Sequence, residues 1–214
     1  GGSRGIGRAI ALRLARSGAD RVAIGYLRND TAAEETAAIL RAEGAEVSLL
    51  RGNITSERVL AEVAALGPLD VLVHNAASGV VRRALDTEEK HWDWTLNANA
   101  RALLSLTRAA APRMPVGSSI VAISSLGSQR VLDNYALIGT SKAALEALVR
   151  YLAVELAPGI RVNAVTSPSP IADRRVGPSY MASAPSAMLG PIPDTPSRVR
   201  NRGVTDTTTD QRGI

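Results

Sequence analysis

Short apolar runs and longer stretches of helical period alternate along the first 166 residues of this chain. RVAIGY (21–26), EVSLLRG (46–52), LDVLVHN (69–75), SIVAISS (119–125) and IRVNAV (160–165) are brief runs bounded by turn residues, the pattern of buried strands. Between them lie stretches with apolar positions three and four apart: from the opening glycine run to Gly18, 31–44, 56–67 with Ser56 as N-cap, about Thr87 to Ala111, and 134–156 ahead of Pro158. Strands alternating with helices of this length predict an α/β fold, a doubly wound, Rossmann-like parallel sheet covered on both faces.

Two ends depart from that pattern. The opening GGSRGIG is a glycine-rich turn running into a helix, and such a turn emerges from a strand that is central in a doubly wound sheet. The expectation is therefore a chain clipped at its amino end, lacking the first strand. From residue 167 to 214 the periodicity stops, and this stretch holds seven of the eleven prolines. It is expected to be an irregular Pro/Ser/Arg-rich tail without the sheet's last strand, and the dinucleotide-binding domain to be 1–166.

Composition narrows the chemistry. At 214 residues, 45% hydrophobic and 21% charged, the chain suits one globular domain, and no apolar run approaches the roughly 18 residues of a membrane span. There is no cysteine and there are two histidines, His74 and His91, so no disulfide, thiolate site or histidine-rich metal centre is expected. The net charge of +5 is dispersed and aromatic residues are only 3%, which argues against a nucleic-acid surface. With no signal peptide in view, a cytoplasmic protein is expected. Of 25 basic residues only Lys90 and Lys142 are lysine, which singles out Lys142.

Tyr135 and Lys142 are seven residues apart in NYALIGTSKAALEALVRYLAVEL. Read as one helix, this puts phenol and ammonium on nearly the same face, about 10 Å apart along the axis. An ammonium near a phenol favours the phenolate and makes an acid-plus-cation device; a capping tyrosine and a solvated lysine is the alternative. The position four before Lys142 is Ile138, which has no proton to donate. Gly1, Ser3, Arg4, Gly5, Ile6 and Gly7 form the turn at which backbone N–H groups meet a pyrophosphate. The run at 21–26 leads into Arg28, with Asp30 the nearest acid; Arg4 and Arg28 suit a 2′-phosphate, so NADPH is expected over NADH.

Asn75, Ala76 and Ala77 end a strand with small residues where an adenosine ribose would lie, and His74 reads as a hydrogen-bonded structural histidine. Asn97 and Asn99 interrupt an apolar helical pattern, which requires another task for them. Trp92 and Trp94 read as packing or subunit-interface residues. Ser124 and Ser125 close a strand without a Gly-x-Ser-x-Gly elbow, so a hydroxyl donor fits better than a hydrolase nucleophile.

Together GGSRGIG, the NAA at 75–77, Asn99, the ISS ending at Ser125, and Tyr135 with SKAALEAL resemble the short-chain dehydrogenase/reductase family over residues 1 to about 166. Within it, the Tyr-x6-Lys spacing and the stretches NAASGVVRRALDTEEKHWDWTLNANARALL and ISSLGSQRVLDNYALIGTSKAALEAL are similar to NADPH-dependent enoyl-acyl carrier protein reductases of type III. The resemblance implies reduction of the 2,3 double bond of an enoyl thioester on acyl carrier protein, in fatty acid or related acyl-chain synthesis. It implies catalytic roles for Tyr135, Lys142, Ser125 and Asn99, the last through the active-site helix or a water chain. It places Lys142 on the nicotinamide ribose, Asn53 and Ile54 at adenine and Ile171 near nicotinamide, in a family that forms homo-oligomers. The usual family spacing is Tyr-x3-Lys. Moving the phenol three residues, about 4.5 Å, suits an oxygen two carbons beyond the hydride acceptor. A carbonyl or 3-oxoacyl reductase, and an inactive fragment or binding protein, are the alternatives.

Overall fold

The computed structural model describes residues 1–167. Along them run α1 (Gly5–Arg16), β1 (Arg21–Tyr26), α2 (Asp30–Ala42), β2 (Glu46–Arg51), α3 (Glu57–Ala65) and β3 (Val71–His74). Then come α4 (Glu89–Leu96), α5 (Ala102–Ala110), β4 (Ser119–Ser125), α6 (Ala136–Glu155) and β5 (Arg161–Ser167). The strand–helix alternation is the predicted one, and every strand pairing is parallel. Helix starts follow local chemistry: Asn29 accepts from the Ala32 N–H and Ser56 from the Val59 N–H, so each satisfies an orphan donor of the first turn.

The strands form two groups rather than one continuous ladder. β1 pairs with β2, and β4 lies between β3 and β5. Gly1 and Gly2 occupy the space between the groups: both N–H groups donate to the Gly25 carbonyl (2.7 and 2.9 Å), and the Gly1 carbonyl accepts from Asn75 Nδ2 (2.8 Å). The core divides likewise. Ala11, Ala15, Val22, Ile24 and Leu40 pack where α1 and α2 meet β1, while Leu103, Leu106, Ile120, Leu145, Val149 and Val162 join α5, α6 and the three-stranded group. Both clusters draw on the periodic apolar positions, whose removal from water drives the assembly.

Two helices differ from their sequence reading. The expected unbroken helix from Thr87 to Ala111 begins at Glu89 and carries a π-helical turn at Asn97–Arg101 between α4 and α5. The helix carrying Lys142 begins at Ala136, so Tyr135 is its N-cap and does not sit on a helical face. Asn134 has φ of +59°, a left-handed conformation that asparagine tolerates better than most side chains, and it turns the chain into that cap.

Candidate functional site

The glycine turn is held from behind. Ser3 is buried, and its carbonyl receives Arg8 Nε (3.3 Å) and Nη2 (3.1 Å), with Thr36 Oγ1 at 2.8 Å. Arg8 Nε also donates to Thr36 Oγ1 (2.6 Å), and Nη2 to the Ala32 carbonyl (3.3 Å). Sequence reasoning missed Arg8 and Thr36; the available signal was a threonine on the otherwise apolar face of α2. A Cβ on Gly7 would overlap the Gly1 carbonyl and come within 2.7 Å of Asn75 Nδ2, so only glycine lets the turn close on β3. No acidic residue lies in the first turn of α1, leaving its N–H groups to an anion. Arg4, Gly5 and Ile6 are exposed at this end.

At the carboxyl end of β1, Arg28 is exposed and has no salt-bridge partner among the described residues. Asp30, the acid in question for a ribose hydroxyl, is already engaged: Tyr26 donates to its Oδ1 (2.9 Å) and Arg51 Nε lies 3.3 Å from the same oxygen. Asn75 ties β3 to the glycine turn, and Ala76 sits against Gly1, its backbone within 3.0 Å of where a Gly1 Cβ would be; Ala77 is exposed beside it.

Asn53 Oδ1 accepts from the Thr55 N–H (3.1 Å) and hydroxyl (3.0 Å), closing a local turn before α3, and Ile54 packs against the larger core. Ile171 lies outside the described residues.

Asn99 is fully buried in the π turn, with its amide engaged by protein. Oδ1 accepts from the Ser78 N–H (2.8 Å), and Nδ2 donates to the Ser78 carbonyl (2.9 Å) and Ser141 Oγ (2.8 Å). The side chain thus clamps the loop after β3 to α6, which agrees with the expectation that Asn99 supports the active-site helix. The Asn99 backbone carbonyl meets His74 Nε2 at 3.0 Å. Burial holds His74 down to about 4, so the ring is neutral and donates through Nε2, as a structural histidine.

The chemistry-bearing groups gather at the carboxyl end of β4. Lys142 is 5% exposed and donates from Nζ to the Ile123 carbonyl (2.8 Å); burial lowers its pKa from 10.5 to about 8. Two residues on, Ser125 Oγ accepts from the Gly127 N–H (3.3 Å) and from the Tyr135 hydroxyl (3.3 Å). The Tyr135 ring lies over Gly127, where a Cβ would come within 2.5 Å of it. Ile138 is buried against Gly79. Serine and tyrosine hydroxyls side by side, with an ammonium on the adjoining strand carbonyl, can bind one developing oxyanion and supply it with hydrogen bonds. A cleft of about 810 Å³ touches Tyr135 from the outer side, lined also by Arg83, Gln129, Leu132, Gly139 and Thr140 but by neither Ser125 nor Lys142. Among the described residues no group of acidic or imidazole side chains converges as metal ligands, and no helix is long and apolar enough to cross a membrane.

Known proteins are similar to this chain in sequence and in fold. The family model described as Enoyl-(Acyl carrier protein) reductase matches residues 1–182. The chain belongs to the short-chain dehydrogenase/reductase family. The match runs to residue 182, beyond the change of composition at 167. The chain is 42% identical over 171 residues to the 1-cyclohexenylcarbonyl-CoA reductase of Streptomyces collinus, covering 77% of this chain and 61% of that protein. It is 36% identical to the L-xylulose reductase of Mus musculus, covering 77% and 67%. Among solved structures, a short-chain dehydrogenase from Burkholderia cenocepacia in complex with NADP aligns with a TM-score of 0.71 at 37% identity, covering 78% of this chain and 70% of that one. The chain thus spans about three-fifths of the Streptomyces relative's length.

Proposed function

We propose that the full-length protein is an NADPH-dependent reductase of enoyl thioesters. The observation that carries this reading is the source of the phenol: the position four before Lys142 is a buried Ile138, and the hydroxyl reaches Ser125 from the N-cap residue Tyr135. In an enoyl thioester, negative charge develops on the thioester oxygen, two carbons from the carbon that is reduced. A donor entering from outside the helix suits that displaced oxygen. The relative named for 1-cyclohexenylcarbonyl-CoA supports the class, since that name describes a thioester conjugated with a ring double bond.

The cofactor fits this chain's residues. The Gly7 cradle would be filled by a single Cβ, Arg4 and Arg28 are exposed at the edge where a 2′-phosphate would sit, and Asp30 is occupied by Tyr26 and Arg51. When bound, NADPH supplies the hydride. Lys142 would hold the ribose hydroxyls and keep positive charge near the site, while Tyr135, aided by Ser125, would hydrogen-bond the enolate oxygen and pass it a proton. Acyl carrier protein as the carrier, a role in fatty acid or related acyl-chain synthesis, homo-oligomeric assembly and a cytoplasmic location belong to the same proposal.

A specific observation favours a second reading. The 3.3 Å pairing of Ser125 and Tyr135 would also cradle a ketone oxygen, and the similarity to L-xylulose reductase points the same way. The test is NADPH oxidation by the full-length protein with crotonyl thioesters on coenzyme A and on acyl carrier protein, against acetoacetyl thioesters and simple ketones. Turnover of the enoyl thioesters is expected. Turnover of ketones with none of the enoyl thioesters rejects the proposal in favour of the second reading.

A further inference from the structure

The turn that joins β4 to α6 carries an interaction that neither substrate chemistry nor cofactor binding calls for. Glu146, one helical turn beyond Lys142, accepts two serine hydroxyls on Oε1: Ser124 at 2.5 Å and Ser128 at 2.6 Å. Its Oε2 lies 3.4 Å from Gln129 Nε2. Burial opposes the charge, but these three donors, with Arg150 nearby, leave the carboxyl below its ordinary value, so it is ionised at neutral pH. Ser124 is 3% exposed, and its side chain points to the opposite side of β4 from that of Ser125. One carboxylate therefore ties the end of β4 to the far end of the short 3-10 turn Leu126–Ser128. Inside that turn lie the Gly127 N–H, which donates to Ser125 Oγ, and the Gly127 α-carbon, on which the Tyr135 ring rests.

We propose that Glu146 is a positioning residue for the reaction: its carboxylate fixes the turn that sets the Ser125 and Tyr135 hydroxyls at their mutual distance. It touches neither hydroxyl and acts through Ser124, Ser128 and Gln129. The proposal rests on the reductase reading only for its kinetic consequence, and holds for ketone or enoyl substrates alike. The Gly1–Gly7 turn takes part in none of the Glu146 hydrogen bonds, so the effect is expected on turnover with NADPH affinity spared.

The experiment compares wild-type full-length protein with Glu146→Ala, Glu146→Gln and Ser128→Ala. A misplacement of about 1 Å at a reacting group costs on the order of a hundredfold, so Glu146→Ala is expected to lower kcat by about tenfold to a hundredfold. Its NADPH dissociation constant is expected to stay within about twofold of wild type. Glu146→Gln keeps an oxygen acceptor for the serines and is expected to recover most of kcat, with Ser128→Ala between the two. Amide hydrogen exchange over residues 124–131 is expected to quicken in Glu146→Ala, a readout that needs no turnover. Unchanged exchange there overturns the proposal whatever the substrate. Unchanged kcat, or kcat and NADPH affinity falling together, overturns it as well. If Glu146→Ala does not fold, Ser128→Ala decides by the same two measurements.

Discussion

Lys142 is a buried charge, and its cost to the fold should be measurable as a function of pH. Its Nζ is enclosed between α6 and β4 with the Ile123 carbonyl as its hydrogen-bond partner, and burial brings its pKa from 10.5 to about 8. In the unfolded chain the amine keeps its proton up to about 10.5; in the folded protein it releases it near 8. Between these values the unfolded state binds more protons, so stability rises with pH across that window. Below about 8 both states are charged and the full penalty is present. At about 1.4 kcal/mol per tenfold change in proton affinity, the window is worth about 3 kcal/mol. The perturbation is Lys142→Met, which keeps the aliphatic stem and removes the titration. Urea unfolding of both proteins at several pH values from 7 to 10.5 gives their stability difference, from which the other titrating groups cancel. Wild type is expected to gain about 3 kcal/mol on the variant across this range, and its kcat/KM to fall as pH passes about 8. The unpaired Ile123 carbonyl in the variant adds a constant that does not alter the slope. A flat difference would refute the burial argument.

Three further outcomes are expected. Tyr135→Phe removes the donor to the substrate oxygen and should lower kcat by about a hundredfold to a thousandfold with NADPH affinity unchanged; steady-state kinetics with a fluorescence titration of NADPH checks both. Gly127→Ala would put a methyl within 2.5 and 2.6 Å of Tyr135 Cδ1 and Cε1. It should cost about 1–3 kcal/mol in thermal unfolding and displace the phenol from Ser125, so an unaltered kcat would contradict the described packing. Arg28→Asp should raise the KM for NADPH by about tenfold or more while improving NADH, since a charge-assisted contact is lost and a ribose acceptor gained; equal effects on the two cofactors would remove Arg28 from the site.

Periodicity made most elements legible because strand and helix patterns are local. β1, β2 and β4 fall on their predicted apolar runs, and Ser56 caps α3 as its hydroxyl and position imply. What periodicity did not carry is backbone geometry that tertiary contacts select. The π turn at Asn97–Arg101 adds one residue to a helical pattern that reads straight through, and it brings the Asn99 amide onto Ser78 and Ser141. Tyr135 likewise reads as helical by composition. The left-handed Asn134 and the Arg82–Tyr135 backbone bridge hold it just outside α6, and neither is visible in a hydrophobic pattern.

The candidate site shows the same division between residue type and partner. Asparagine inside an apolar helix announces a task, but only the fold gives its partners: three hydrogen bonds join a side chain with no exposed surface to Ser78 and Ser141. Arg8 reads as one more cation beside a phosphate turn, yet it faces Ser3 and Thr36 and braces the turn from the far side. Both cases follow from the cost of an unpaired buried polar group, which compels each to find partners without fixing which ones. Serine, tyrosine and lysine at the end of β4 were legible because chemistry restricts their types. Asn99, Arg8, Thr36 and Glu146 hold them, or the cofactor turn, in place, and the chain can meet that demand with many residue types. Their roles are therefore read from distances.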